Sequence, residues 1–115
     1  MFPAPHGATC AALLPHVMRA NLRALRSREP NNPALSRYDE VARLLTSNAT
    51  ASADEGVEWV SGLTQDLQIP PLSRYGIGSE HIPELLEKAS NASSMKANPI
   101  VLSPSELADI LKHTL

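Results

Sequence analysis

The first apolar segment of the chain has hydrophobic residues on nearly all sides of a helix rather than along one face. It covers about residues 7–25, and its apolar members are Ala8, Ala11, Ala12, Leu13, Leu14, Val17, Met18 and Ala20. This pattern predicts a buried helix that another element must cover. Because Pro15 lies inside the segment and removes a backbone donor, we expect the helix to kink or break near Ala11 or Ala12.

A second helix is predicted after a polar loop at residues 27–32. Asn32 followed by Pro33 is typical of an N-cap with proline at the first helical position. The apolar positions that follow have the i, i+3, i+4, i+7 spacing of one helix face, and they are Tyr38, Val41, Ala42 and Leu45. The polar run at residues 46–51 ends this helix.

The third helix is predicted from a capping box, in which Ser52 is followed three residues later by Glu55. Its expected inward residues are Val57, Val60, Leu63 and Leu67, and Pro70 with Pro71 ends it.

The remainder of the chain predicts two shorter helices separated by linkers. Residues 72–78 are turn-rich, and residues 79–90 predict a helix that buries Ile82, Leu85, Leu86 and Ala89. After a linker at residues 91–100, Ser103, Pro104 and Glu106 combine an N-cap, a first-turn proline and a capping box. The last helix then carries Leu107, Ile110 and Leu111 inward.

These segments predict an all-α bundle of about five helices with no strand. A chain of 115 residues has the length of one domain, so we expect residues 1–115 to form a single helical domain. Helix lengths alone also fit an αα repeat module, although no internal repeat is visible.

The amino-acid composition of the chain indicates which classes of partner it can bind. Apolar residues make up 43% of the chain and charged residues 19%, which is the balance of a soluble globular protein. The net charge is −2, and the basic residues are scattered apart from Arg19, Arg23, Arg26 and Arg28. We therefore expect no nucleic-acid partner. The apolar run before Pro15 is short, and we expect neither a signal peptide nor a membrane span.

Cysteine usage indicates a reducing compartment. The single Cys10 cannot form an internal disulfide, and its Ala and Leu neighbours favour a small buried hydrophobe over a nucleophile. We therefore expect a cytoplasmic protein.

Several motifs, in order, resemble the C-terminal part of iron-containing alcohol dehydrogenases. Pro5-His6-Gly7 followed by Leu13-Leu14-Pro15-His16 is similar to the segment in which a His-Gly pair opens a helix ending in Leu-Leu-Pro-His. The likeness continues through residues 38–45, Leu67-Gln68-Ile69-Pro70, residues 82–89, Asn98-Pro99 and Leu102-Ser103. It covers nearly this whole chain, but only the closing third or so of a family member.

The resemblance implies a metal-dependent reaction in which hydride passes between an alcohol carbon and NAD(P). In that family one Asp and three His hold a divalent metal, iron or zinc, and the last of these His matches His6. The other three ligands and the nucleotide-binding domain would lie before Met1. No glycine-rich phosphate loop exists among the five glycines here, so we expect no cofactor to bind this chain alone.

Other titratable residues have simpler interpretations. His16 follows His6 by ten residues, so the two rings do not share a helix face, and His16 is interpreted as a buried, hydrogen-bonded helix residue. His81 and His113 lie near predicted helix ends and need no functional role. The adjacent acids Asp39-Glu40 and Asp54-Glu55 are interpreted as dipole and cap residues rather than acid–base pairs.

Two functions remain open. The chain is either the C-terminal helical domain of an alcohol or aldehyde oxidoreductase, inactive alone, or a free-standing helical module for oligomerisation or interaction, derived from a truncated dehydrogenase gene. Coding sequence just before Met1 with a glycine-rich motif and the missing ligands would favour the first. The expected partner is either a second copy, through the apolar first helix, or a separately encoded N-terminal part.

Overall fold

The computed structural model describes residues 6–91 and 98–115, with the side chains of residues 6–9 and 88–91 left out of the description. This part of the chain contains helices and no strand, which confirms the all-helical prediction. The five α-helices are α1 His6–Arg28, α2 Ala34–Thr46, α3 Ala53–Asp66, α4 Ile82–Asn91 and α5 Pro104–Thr114. Two 3-10 turns, Leu72–Tyr75 and Ser79–His81, connect α3 to α4.

Helix α1 is the centre of the fold, and it contacts α2, α3 and α5. Its 23 residues run without interruption through Pro15. Of the predicted kink or break near Ala11 or Ala12, the break is therefore wrong. A proline inside a helix costs about 3 kcal/mol or more in lost hydrogen bonding and steric clash. Here the ring of Pro15 is buried, and this burial offsets part of that cost.

The core lies where α1 meets α5 and α3. One cluster of buried side chains joins α1 to α5 and to the segment before α5, and it contains Ala24, Leu25, Ala34, Ile100, Leu102, Leu107 and Ile110. A smaller cluster joins α1 to α3 through Leu22, Ala53 and Val57. The predicted burial of Leu107 and Ile110 is therefore confirmed.

Two of the predicted helix starts have the expected hydrogen bonds. The Oγ of Ser103 accepts from the Glu106 backbone N–H at 3.2 Å, while the Oε1 of Glu106 accepts from the Ser103 N–H at 2.8 Å. The Oδ1 of Asn32 accepts from the Ala34 N–H at 2.8 Å, although α2 begins one residue later than predicted.

The predicted capping box at α3 is wrong. Ser52 precedes the helix, but its side chain makes no capping hydrogen bond. The Oδ1 of Asp39, on α2, instead accepts from the Ala53 N–H at 2.8 Å. Asp39, which is distant in the sequence, therefore makes a capping hydrogen bond of the kind that the local motif predicted for Ser52.

The α2–α3 pair leaves part of its apolar surface uncovered by the described residues. Val41 is 44% exposed, and Leu63 and Leu67 are 39% and 62% exposed, so their predicted inward positions are wrong. Ala42, Val57 and Val60 are buried as expected. Periodicity identifies an apolar face, but it does not give the width of the face that a neighbouring helix covers.

Candidate functional site

The predicted metal ligand, His6, is the first residue of α1. Its side chain lies outside the described residues, so the structure places only its backbone. Among the described side chains, which belong to residues 10–87 and 98–115 and do not include His6, no three His, Cys, Asp or Glu groups could together hold a metal ion.

The structure brings together two histidines that the sequence did not connect. His16 on α1 and His113 on α5 have ring centroids 6.0 Å apart, with 27° between the ring planes. We call these two residues the histidine pair. His16 is partly buried and contacts the other ring, rather than making a hydrogen bond to the described residues as predicted. Because the two residues lie far apart in the sequence, the sequence pattern could not predict this contact.

The hydrogen bond of His113 indicates which nitrogen carries the proton in its neutral ring. Its Nδ1 lies 2.7 Å from the backbone carbonyl oxygen of Asp109, one helical turn earlier. Because a carbonyl oxygen can only accept, Nδ1 carries a proton, and in the neutral ring Nε2 is then the acceptor.

The surroundings of His16 disfavour its charged form. Burial lowers the pKa of His16, and the positive charge of Arg19 and the neighbouring His113 lower it further. A cleft of about 60 Å³ opens beside the histidine pair, and Arg23 and Asp109 also line it. A second cleft, of about 220 Å³, is lined by both histidines, by Pro15 and by polar residues of α3.

A partly buried amide pair holds α1 against the segment that leads into α5. The Nδ2 of Asn21 donates to the Oδ1 of Asn98 at 2.9 Å, and the Nδ2 of Asn98 donates back at 2.8 Å. Asn21 also donates to the hydroxyl of Tyr38 on α2 at 3.0 Å. Sequence reasoning missed this network, because a single asparagine in an apolar helix gives no signal of its partner.

The arginines of α1 bind acidic residues of neighbouring helices. Arg26 binds both carboxylate oxygens of Asp54 on α3, at 3.0 and 2.9 Å, and this contact lowers the pKa of Asp54. Arg28 binds Glu106 on α5 at 2.9 Å. These contacts give the arginine cluster a structural role in holding α1 to α3 and α5.

The structure also places Cys10 and His81, for which the sequence predicted no functional role. Cys10 is exposed, so its predicted burial is wrong. The Nδ1 of His81 accepts from the Gly78 N–H at 2.9 Å and so helps to form the turn before α4. Across the described helices, none is both long and apolar enough to cross a membrane.

Comparison with known proteins gives one family match and several relatives. A family model described as Fe-containing alcohol dehydrogenase family, C-terminal, matches residues 1–115. The chain is 32% identical to an alcohol dehydrogenase of Thermococcus barophilus over 96% of its own length and 27% of the relative. It is 31% identical to the lactaldehyde reductase of Escherichia coli K12, covering 96% of the chain and 28% of that enzyme.

A third relative is the 1,3-propanediol dehydrogenase of Klebsiella pneumoniae, with 29% identity over 98% of the chain and 28% of the relative. The chain thus spans little more than a quarter of the length of these relatives. No solved structure matches it significantly.

Proposed function

The chain belongs to the C-terminal part of the Fe-containing alcohol dehydrogenase family, and from this we propose that it forms the helical, metal-binding side of an alcohol or aldehyde oxidoreductase. The observation that carries the proposal is the family match over residues 1–115. The relatives bear the names of enzymes that act on alcohols or aldehydes, among them lactaldehyde reductase and 1,3-propanediol dehydrogenase. We extend to this chain only the class of substrate that these names share.

In this proposal His6 contributes one ligand to a divalent metal, iron or zinc. It occupies the position of the His in the proline-histidine-glycine motif, at the start of α1. Neutral imidazole is a suitable ligand for such metals. One Asp and two further His, supplied by the preceding part of the family fold, complete the ligand set.

The bound metal would polarise the substrate oxygen and stabilise alkoxide character while hydride passes to or from NAD(P). The role of this chain is to hold His6 in place. Helix α1 is anchored by Leu22 and Leu25 in the core and by the Asn21–Asn98 amide pair.

The nucleotide-binding part is the partner that this function requires. Our proposal assigns NAD(P) to that part, whether it precedes the helices in one chain or is encoded separately. We further propose that the assembled enzyme works in the cytoplasm. Without this partner the chain is expected to bind no iron or zinc stoichiometrically and to oxidise no alcohol.

A chimera tests the proposed function. The C-terminal 28% of the E. coli lactaldehyde reductase that matches this chain is replaced by residues 1–115. We expect nicotinamide-dependent oxidation of 1,2-propanediol by the chimera and none by the truncated reductase alone. His6→Ala should abolish the activity, because a metal ligand is lost. His81→Ala is the matched control, since this ring helps to form a turn.

The result also separates the two functions left open by the sequence. A chimera that folds cooperatively, shows helical circular dichroism and remains inactive would contradict the proposal and favour the free-standing interaction module. Activity that survives His6→Ala would contradict the role given to His6.

A further inference from the structure

Helices α1 and α5 are antiparallel, and paired side chains follow one another along their contact. Arg28 binds Glu106 at one end, and the buried core residue Ile110 packs in the middle. At the other end His16 faces His113, in the last turn of α5. The histidine pair and the Arg28–Glu106 ion pair therefore lie at opposite ends of the contact between α1 and α5.

Charged groups around the histidine pair are mainly positive. Arg19 and Arg23 of α1 line the same cleft, together with the carboxylate of Asp109 on α5. Arg19 is itself paired with Glu58 of α3 at 3.3 Å. The next residue before His113 is the exposed Lys112.

The other elements beside the pair contribute few charges. The α3 residues that line the larger cleft are Ser61, Thr64 and Gln65, which are uncharged. The terminal residue, Leu115, accepts a hydrogen bond from the hydroxyl of Ser73 through its backbone oxygen. A proton added to His16 thus meets more positive than negative neighbours.

We propose that the histidine pair is a proton-sensitive contact, which holds the end of α5 against α1 when both rings are neutral and releases it when they are protonated. Two imidazolium rings at this separation repel each other, and Arg19 adds to the repulsion. The other end of α5 stays attached through Glu106 and Leu107. Acidification therefore loosens the last turn of α5, against the hold of the buried Thr114 and the Ser73–Leu115 hydrogen bond, rather than the whole helix.

The direction of the pH dependence follows from the pKa of His16, which burial, Arg19 and His113 lower from 6.5 in the folded chain. The unfolded chain therefore takes up this proton first as the pH falls. Stability is highest above about pH 6.5 and is lost as the pH drops toward the lower, folded-state pKa, below which this contribution is constant. In that window the unfolding equilibrium constant changes by up to about tenfold per pH unit.

The experiment uses the full chain and compares urea unfolding at about pH 7.5 with that at about pH 5.5. The variant His113→Gln removes the second titrating ring, while its amide can still donate to the Asp109 carbonyl. We expect the unfolding equilibrium constant of the native chain to rise at least about threefold more on acidification than that of His113→Gln. In His81→Gln, a change outside the pair, the pKa of His16 measured by NMR should match that in the native chain.

Two further measurements make the test specific to the pair. The pKa of His16 measured by NMR should rise in His113→Gln, because a neighbouring positive charge is removed. Amide exchange, corrected for intrinsic rates, should accelerate at the end of α5 at the lower pH but not in α2. Equal pH dependence in the native chain and His113→Gln, an unchanged pKa of His16, or unchanged protection at the end of α5 would each overturn the proposal.

Discussion

At the scale of single residues, the cap of α3 shows how a distant side chain can replace a local motif. The sequence places Ser52 in the capping position, but Asp39 accepts the hydrogen bond from the Ala53 N–H. Asp39 lies fourteen residues before Ala53. A carboxylate at a helix N-terminus also interacts favourably with the helix dipole.

This arrangement predicts unequal effects of two alanine substitutions. Asp39→Ala should lower the free energy of unfolding by about 1 kcal/mol, because the backbone N–H of Ala53 loses its partner. Ser52→Ala should have an effect within about 0.5 kcal/mol, because its hydroxyl makes no capping bond. Urea unfolding monitored by circular dichroism measures both values. A larger loss from Ser52→Ala than from Asp39→Ala would show that the local capping box forms after all.

The same distinction explains which details of single residues could be predicted. The capping box of Ser103 and Glu106 was readable because both partners lie within one turn. The histidine pair and the Asn21–Asn98 amide pair join residues far apart in the chain, and no periodicity identifies such partners. The proposed metal ligand, His6, came from a family motif and not from any physical signal in its surroundings.

At the scale of helices, the close approach of α2 and α3 depends on a glycine. A Cβ placed on Gly56 would lie 2.7 Å from the Cβ of Ala42, whereas a Cβ on Gly62, in the same helix, would meet nothing within 4 Å. The two glycines therefore form a matched pair of sites. One permits helix packing, and the other is an ordinary helix position.

Alanine substitution should accordingly have opposite effects at the two glycines. Gly56→Ala should destabilise the fold by about 1–3 kcal/mol, because α3 must move away from α2. Gly62→Ala should stabilise it by about 0.5–1 kcal/mol, because alanine is the better helix former. Thermal or urea unfolding measures both changes. Equal effects at the two positions would mean that α2 and α3 do not pack as closely as described.

The positions of the helices could largely be predicted from the sequence, but which of their apolar residues are buried could not. Capping residues, prolines and apolar spacing gave five helices close to those observed. The exposed Leu63 and Leu67 had the same periodicity as the buried Val57 and Val60. Burial depends on which other elements are present, and that information is not contained in a single helix.

At the scale of the whole molecule, the exposed apolar side chains of α1 favour self-association of the isolated chain. Leu14 on α1 is 47% exposed, and Leu13, Val17 and Met18 of the same helix pack against the core clusters but stay partly exposed. We expect the isolated chain to self-associate through α1, since an uncovered apolar surface favours burial against a second copy.

Size-exclusion chromatography with light scattering at micromolar concentration measures this assembly. Leu14→Glu should convert the expected dimer to a monomer, whereas Leu44→Glu, at an 80% exposed site on α2, should leave it unchanged. A native chain that is monomeric under these conditions would refute self-association. A dimer broken equally by both substitutions would place the interface elsewhere.

The central claim is that His6 helps to hold the metal of an alcohol dehydrogenase, and metal content tests it most directly. The chimera with the E. coli lactaldehyde reductase, its His6→Ala variant and its His81→Ala control are loaded with iron or zinc, desalted and measured by elemental analysis. We predict about one metal ion per chain in the chimera and in the control, and less than about a tenth of that content in His6→Ala. Equal metal content in all three folded proteins would contradict the account.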